Sequence, residues 1–131
     1  MPHWADSVGP AEITSVYIGG GTSTLALDSV ARVLVRVRER FRLTGDICIE
    51  TNPADVDDET VRRLHDMGVE LVSVGVQSFQ PEKLALLGRD YTPLVAERAL
   101  ALLAGSDFAS VNVDIMFALP GQNRLRRDIV A

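Results

Sequence analysis

Sulfur, imidazole and aromatic rings are all scarce in this chain. Its 131 residues include one cysteine, Cys48, and two histidines, His3 and His65. One thiol excludes an internal disulfide, and by itself holds neither zinc nor an iron–sulfur cluster. Aromatic residues make up 5% of the chain against 47% hydrophobic residues overall, so a core must be aliphatic. Positive charge is short as well: thirteen Lys and Arg face eighteen Asp and Glu, a formal charge of −5. Phosphate neutralisation needs clustered cations, which excludes nucleic acid as the expected partner. No apolar run reaches membrane-spanning length, and the opening "MPHWADSVGPAE" lacks the basic-then-apolar pattern of a signal peptide. These absences leave one soluble domain with no membrane span, expected in the cytoplasm.

The chain alternates strand-like and helix-like stretches. Residues 12–19, 46–50, 70–77 and 109–117 read as strands. Between the first two, Val30, Val33, Leu34, Val37 and Phe41 recur at helical spacing behind Asp28, the expected N-cap. Asp57-Asp58-Glu59 opens a second helix that carries Val61 and Leu64 and stops at Gly68. Pro81 starts a short helix that ends at Gly88, and Thr92-Pro93 starts another that ends near Gly105. Helices between successive strands imply parallel strands and right-handed crossovers, and therefore an α/β fold.

Strand parity carries the functional clue. Val72, Val74 and Val76 share one face of their strand, with Ser73, Gly75 and Gln77 on the other. Val111, Val113, Ile115 and Phe117 likewise oppose Ser110, Asn112 and Asp114, and Ile47 and Ile49 oppose Asp46, Cys48 and Glu50. A parallel sheet covered on both faces reads as nearly continuous hydrophobic residues. Here one face is apolar, as expected beneath helices, and the other is small or polar and should be wet or ligand-filled. A curved sheet with outer helices and a polar inner face, a barrel or part of one, satisfies the pattern. Glu50, Gln77 and Asp114 fall at the C-terminal strand ends, where such folds place their ligands.

At the end of the first strand, "SVYIGGGTST" runs into three bare residues. Consecutive glycines cost chain entropy and make sense where a ligand approaches the backbone. The stretch is neither a P-loop nor a dinucleotide fingerprint, since Gly-Lys-Ser/Thr and the required glycine spacing are both missing. Alone it is compatible with a tight turn or a ligand loop. Glu50, Gln77 and Asp114 each have an ordinary reading as caps or surface groups; on one face of neighbouring strands they point to a shared pocket. Arg89, after the Gly88 stop, is either a solvated loop residue or a fork for a carboxylate. His3 and His65 are isolated, His65 is expected to be exposed, and Arg32, Arg36, Arg38 and Arg40 read as a solvated helix face. No catalytic residue and no metal ligand is assigned.

In order, "VYIGGGT", "IETNP", "VSVGVQSF", "LLGRDYT" and "VNVDIMFALPGQ" resemble the radical S-adenosylmethionine proteins. Among these they look like the oxygen-independent coproporphyrinogen III oxidases and the related haem chaperones. The resemblance runs from Ile13 to Gln122 and implies a partial (β/α)6 barrel with S-adenosylmethionine across the C-terminal strand ends. It places residues 13–131 in an incomplete barrel domain and leaves residues 1–12 unmatched. Carried over by position, Gly20, Gly21 and Thr22 form the glycine-rich loop at the methionine end of the cofactor. Glu50, Gln77, Arg89 and Asp114 then contact its amino-acid and ribose portions, chemistry that carboxylate, amide and guanidinium groups supply.

The departures are as informative. The family binds a [4Fe–4S] cluster through a Cys-x3-Cys-x2-Cys loop upstream of the glycine turn, and this sequence contains no such motif. The cluster ligands are expected in a missing or partner segment, and the chain alone is expected not to generate a radical. Ser23 stands where the family usually has proline, Ala118 where it usually has glycine, and "RDYT" replaces a histidine-containing version. The resemblance therefore implies the cofactor-binding core of an oxidoreductase that abstracts hydrogen from a small-molecule substrate, a tetrapyrrole by analogy. The alternatives are a non-catalytic haem-binding chaperone, and a truncated remnant whose open strand edges favour aggregation.

Overall fold

The computed structural model describes Gly9 and residues 11–122. His3 and both chain ends lie outside the described residues. Four strands, β1 (Glu12–Ile18), β2 (Arg42–Thr51), β3 (Leu71–Gln77) and β4 (Ser110–Ile115), form one parallel sheet in the order β1-β2-β3-β4. The connections are α1 (Leu27–Arg40) after β1, α2 (Asp58–Asp66) after β2, and α3 (Pro81–Leu86) with α4 (Pro93–Ala104) after β3. Short 3-10 turns at Ser23–Ala26 and Pro53–Asp55 precede α1 and α2. No helix among the described residues is long and apolar enough to cross a membrane.

The helix signals act through local hydrogen bonds. Asp57 caps α2 by accepting from the Thr60 N–H at 2.7 Å, which holds its carboxyl below the usual range. At the other end Gly68 adopts φ +71, and the Gly68 and Val69 amides bond to the carbonyls of His65 and Leu64. Gly88 closes α3 the same way, with φ +64 and an Arg89 N–H bond to Leu84. Asp28 is not the N-cap of α1. The helix starts at Leu27 behind Ala26 because the chain leaves the glycine loop through a 3-10 turn, which places Asp28 in the first turn, bonded to Arg63.

β2 begins at Arg42, four residues before the predicted start at Asp46, because Glu12 and Ile13 pair with Arg42 and Leu43. Thr44 and Gly45 then lie opposite the single residue Thr14, a bulge. Glycine is required there: a β-carbon on Gly45 would lie 1.7 Å from the Thr14 carbonyl oxygen. Phe41, expected on the helix face, is extended and links α1 to this strand.

The apolar parity forms the core. Ile47, Ile49, Val72, Val74 and Val76 are buried against Leu34, Leu64, Leu84, Ala96 and Leu103 of the helices. The pattern weakens at the edge. Val113 is 42% exposed and Phe117, expected beneath helices, is 74% exposed, because β4 ends at Ile115 and has a strand neighbour on one side only. Arg38 is more than a solvated residue of its helix. Its guanidinium donates to the Met67 carbonyl at 2.7 Å and ties α1 to the end of α2.

Candidate functional site

The polar parity meets on the uncovered face of the sheet near the C-terminal strand ends. In register Tyr17 faces Cys48, Glu50 faces Ser73, and Ser73 faces Asn112. Side chains extend these pairs diagonally. Tyr17 donates its hydroxyl to Glu50 Oε1 at 2.5 Å, and Ser73 donates to Asp114 Oδ2 at 3.0 Å. All four strands thus contribute to one polar strip.

Glu50 is the best-defined group on it. Its second oxygen accepts the Gly20 N–H at 3.1 Å, so a strand hydroxyl and a loop amide clamp the two oxygens. Both donors favour the ionised form, and the Glu50 carboxyl is held below its ordinary value, first by Tyr17 and then by Gly20. The partner responds in reverse. Tyr17 is pushed up to about 12, chiefly because its proton is held by Glu50. Cys48, on the same face, is raised by burial and then by the charges of Glu50 and Asp114, which makes it a poor thiolate.

The three glycines have different reasons. A β-carbon on Gly19 would lie 2.8 Å from both the Glu50 carboxyl and the Tyr17 ring, so this glycine makes room for the clamp. Gly20 and Gly21 adopt φ +91 and +67, where L side chains are disfavoured, and a β-carbon on either would meet nothing within 4 Å. Their bareness faces open space. The loop is anchored behind Thr22, whose carbonyl accepts from Leu25. Buried Thr24 donates to Asp55 at 3.1 Å and accepts from Thr51 at 3.2 Å, which fastens the loop to the end of β2.

Gln77 ends β3 in an unusual conformation. Its φ is +64, and the Ser78 amide donates back to the Val76 carbonyl at 2.7 Å, which makes Gln77 the centre of a γ-turn. Its amide lies over Gly75, where a β-carbon would come within 2.9 Å of Nε2. Behind the turn, buried Tyr91 places its hydroxyl 2.9 Å from the Gly75 carbonyl and 2.8 Å from that of Val76.

The sequence-predicted residues therefore divide. Gly20 and Glu50 are bonded to each other, and Asp114 joins the same strip through Ser73, which faces Glu50 across the strands. Gly21 adjoins them on the loop, and Thr22 serves through its backbone. Gln77 stands over Gly75, and Arg89 lies on the Tyr91 loop, half-buried, with its charge felt by Tyr91. His65 is exposed as expected and stacks on Phe108 at 4.2 Å. Sequence reasoning missed Tyr17, Ser73, Thr24 and Tyr91. Parity places Tyr17 and Ser73 on the polar face; no local signal marks the other two.

The Radical SAM superfamily pattern matches residues 3–130, and the chain belongs to that superfamily. Among characterised relatives, it is 40% identical over 115 residues to the haem chaperone HemW of Escherichia coli (strain K12), covering 86% of this chain and 30% of that protein. It is 31% identical over 114 residues to the oxygen-independent coproporphyrinogen III oxidase of Paracoccus denitrificans (strain Pd 1222), covering 85% of this chain and 25% of that protein. Its fold superposes on the radical SAM enzyme coproporphyrinogen III oxidase (HemN) from Escherichia coli with a TM-score of 0.82 at 27% identity, over 92% of this chain and 29% of that one. The chain spans about 30% of the length of the curated relatives it matches.

Superfamily membership implies S-adenosylmethionine and a [4Fe–4S] cluster in the full-length proteins. The residues present fit the first: an ionised, outward-facing carboxylate stands beside two bare glycines with open space above them. They do not fit the second. Cys48 is the chain's one thiol, and no group of three or more His, Cys, Asp or Glu among the described residues could hold a metal ion.

Proposed function

We propose that this chain is the S-adenosylmethionine-holding part of a radical SAM protein of the HemN and HemW group. The observation that carries the reading is the clamp on Glu50, which keeps a carboxylate ionised and fixed beside the Gly20-Gly21 backbone. An ammonium group is the natural partner for that carboxylate, and the bare loop admits the methionine portion alongside. Arg89 supplies a guanidinium for the cofactor carboxylate, and Asp114 and Gln77 supply an acceptor and an amide for ribose hydroxyls. Thr22 closes the loop from behind.

When bound and reductively cleaved, S-adenosylmethionine supplies hydrogen-abstraction chemistry. Cleavage needs a cluster for which this chain has no ligand set, so the role assigned to its own residues is to bind and orient. In the whole protein the ligand acted upon is a tetrapyrrole, by analogy with the relatives' names. Haem chaperones at 28% to 40% identity and an oxidase at 31% both stand among its relatives, so haem binding and oxidation are kept as two roles for experiment to separate.

Titration of the chain with S-adenosylmethionine, followed by NMR, tests the cofactor site. Weak binding is expected, on the order of millimolar. Glu50→Ala and Arg89→Ala should each weaken it, and an unperturbed spectrum at saturating ligand would remove the reading. A Soret shift on adding haemin separates the haem-binding role from the oxidase role.

A further inference from the structure

The γ-turn at Gln77 is a strained way to end a strand. A positive φ costs a residue with a side chain about 1–2 kcal/mol, and such conformations persist only where the surroundings over-determine them. Three contacts converge on this turn. The Ser78 amide bonds to Val76 at 2.7 Å, and the Met116 amide beyond β4 bonds to the Gln77 carbonyl at 2.9 Å. The third is the Tyr91 hydroxyl, within hydrogen-bond distance of the Gly75 and Val76 carbonyls at once.

That double contact is diagnostic. Successive carbonyls of an extended strand point in opposite directions, so one hydroxyl reaches both only where the backbone bends at Val76, whose carbonyl is also the acceptor that closes the γ-turn. Tyr91 is 5% exposed and lies on the loop between α3 and α4. It is too deeply buried to touch a ligand on the sheet's open face, and its ring belongs to the core, a packing role that a phenylalanine ring would serve as well. The hydroxyl requires a different account.

We propose that Tyr91 is a positioning residue whose hydroxyl holds the Gln77 γ-turn and thereby aims the Gln77 amide across Gly75 toward the site. The same anchor seats the loop that carries Arg89, so one buried hydroxyl orients two candidate cofactor contacts. The link from turn to cofactor rests on the binding role proposed for Gln77; the link from hydroxyl to turn does not.

The test uses the full chain with Tyr91→Phe, Gln77→Gly and the double variant. Two quantities are read by NMR: exchange rates of the Ser78 and Met116 amides relative to the β2 amides, and affinity for S-adenosylmethionine. Tyr91→Phe is expected to accelerate exchange at both amides and to weaken binding, each by about ten-fold, as for one lost buried hydrogen bond. Glycine at position 77 removes the φ penalty, so the exchange effect of Tyr91→Phe should shrink in the double variant. Should Tyr91→Phe fail to fold, recovery of a folded double variant supports the brace and continued failure overturns it. A Tyr91→Phe chain that merely melts earlier, with relative exchange and affinity unchanged, also overturns it and reduces Tyr91 to core filler. If the unaltered chain binds no S-adenosylmethionine while the exchange pattern holds, the cofactor reading falls and the brace stands.

Discussion

Along β3, Val72, Val74 and Val76 are completely buried, whereas Ser73 and Gly75, one residue out of phase, belong to a strip of carboxylates and hydroxyls. β2 repeats the contrast, with Ile47 and Ile49 beneath the helices and Cys48 and Glu50 on the other side. The backbone is shared, so the difference lies in what each face must satisfy. The covered face gains free energy by excluding water and is indifferent to which aliphatic groups do it, provided they fill the space. The open face gains little from excluding water and instead fixes charges in place. Glu50 receives two hydrogen bonds that hold it ionised, an arrangement without hydrophobic benefit.

Adjacent substitutions in β2 give the sharpest break between the faces. Ile49→Ala, which empties a fully buried site, should cost about 3 kcal/mol in urea unfolding. Glu50→Ala, one residue on, should cost less than about 1 kcal/mol and lose S-adenosylmethionine binding instead. A comparable stability loss from both would mean that the open face is structural.

Gly19→Ala attacks the clamp without removing either partner. The added methyl would sit 2.8 Å from the Tyr17 ring and the Glu50 carboxyl, a clash expected to cost about 2 kcal/mol. It should also part the pair, bringing the Tyr17 absorbance titration back toward 10.

In the unaltered chain that titration should centre near 12 rather than the ordinary 10.0. Tyrosine binds its proton more tightly when folded, so the contribution of Tyr17 is complete below pH 10 and fades as pH rises from 10 to about 12. Glu50 has the opposite sign. Its carboxyl is lowered from 4.5, so its contribution is present above that pH and is lost as pH falls through the folded value. A Tyr17 midpoint unchanged by Glu50→Gln would dismiss the hydrogen bond as the cause.

The smallest effect lies just past β4. Ala118 adopts φ +60, the region that favours glycine, so Ala118→Gly should raise stability by about 0.5 kcal/mol despite the extra freedom of the unfolded chain. A loss in thermal unfolding would show that the methyl packs usefully.

Much of the fold was legible because its causes are local. Helix stops at Gly68 and Gly88 follow from left-handed glycines, and the cap at Asp57 from a carboxylate before an apolar repeat. The N-cap of α1 and the start of β2 were misread because distant pairings set them: Asp28 meets Arg63, and Arg42 pairs with Glu12. The burial expected for Val113 and Phe117 failed for a related reason. Alternation specifies two faces but says nothing about whether a helix covers the end of an edge strand.

Composition and period-two alternation by themselves determined an α/β chain with one apolar and one polar sheet face. The ordered motifs nominated Gly20, Gly21, Thr22, Glu50, Gln77, Arg89 and Asp114, because residue type and strand position are properties of short stretches. Only the tertiary structure decided how those groups are held. Tyr17 reaches Glu50 across 33 residues of chain and Ser73 reaches Asp114 across 41. Such contacts depend on register and twist, which no short window contains. Tyr91 lies nearer in sequence to the strand end, yet its hydroxyl meets the Gly75 and Val76 carbonyls only because the loop after α3 packs behind β3.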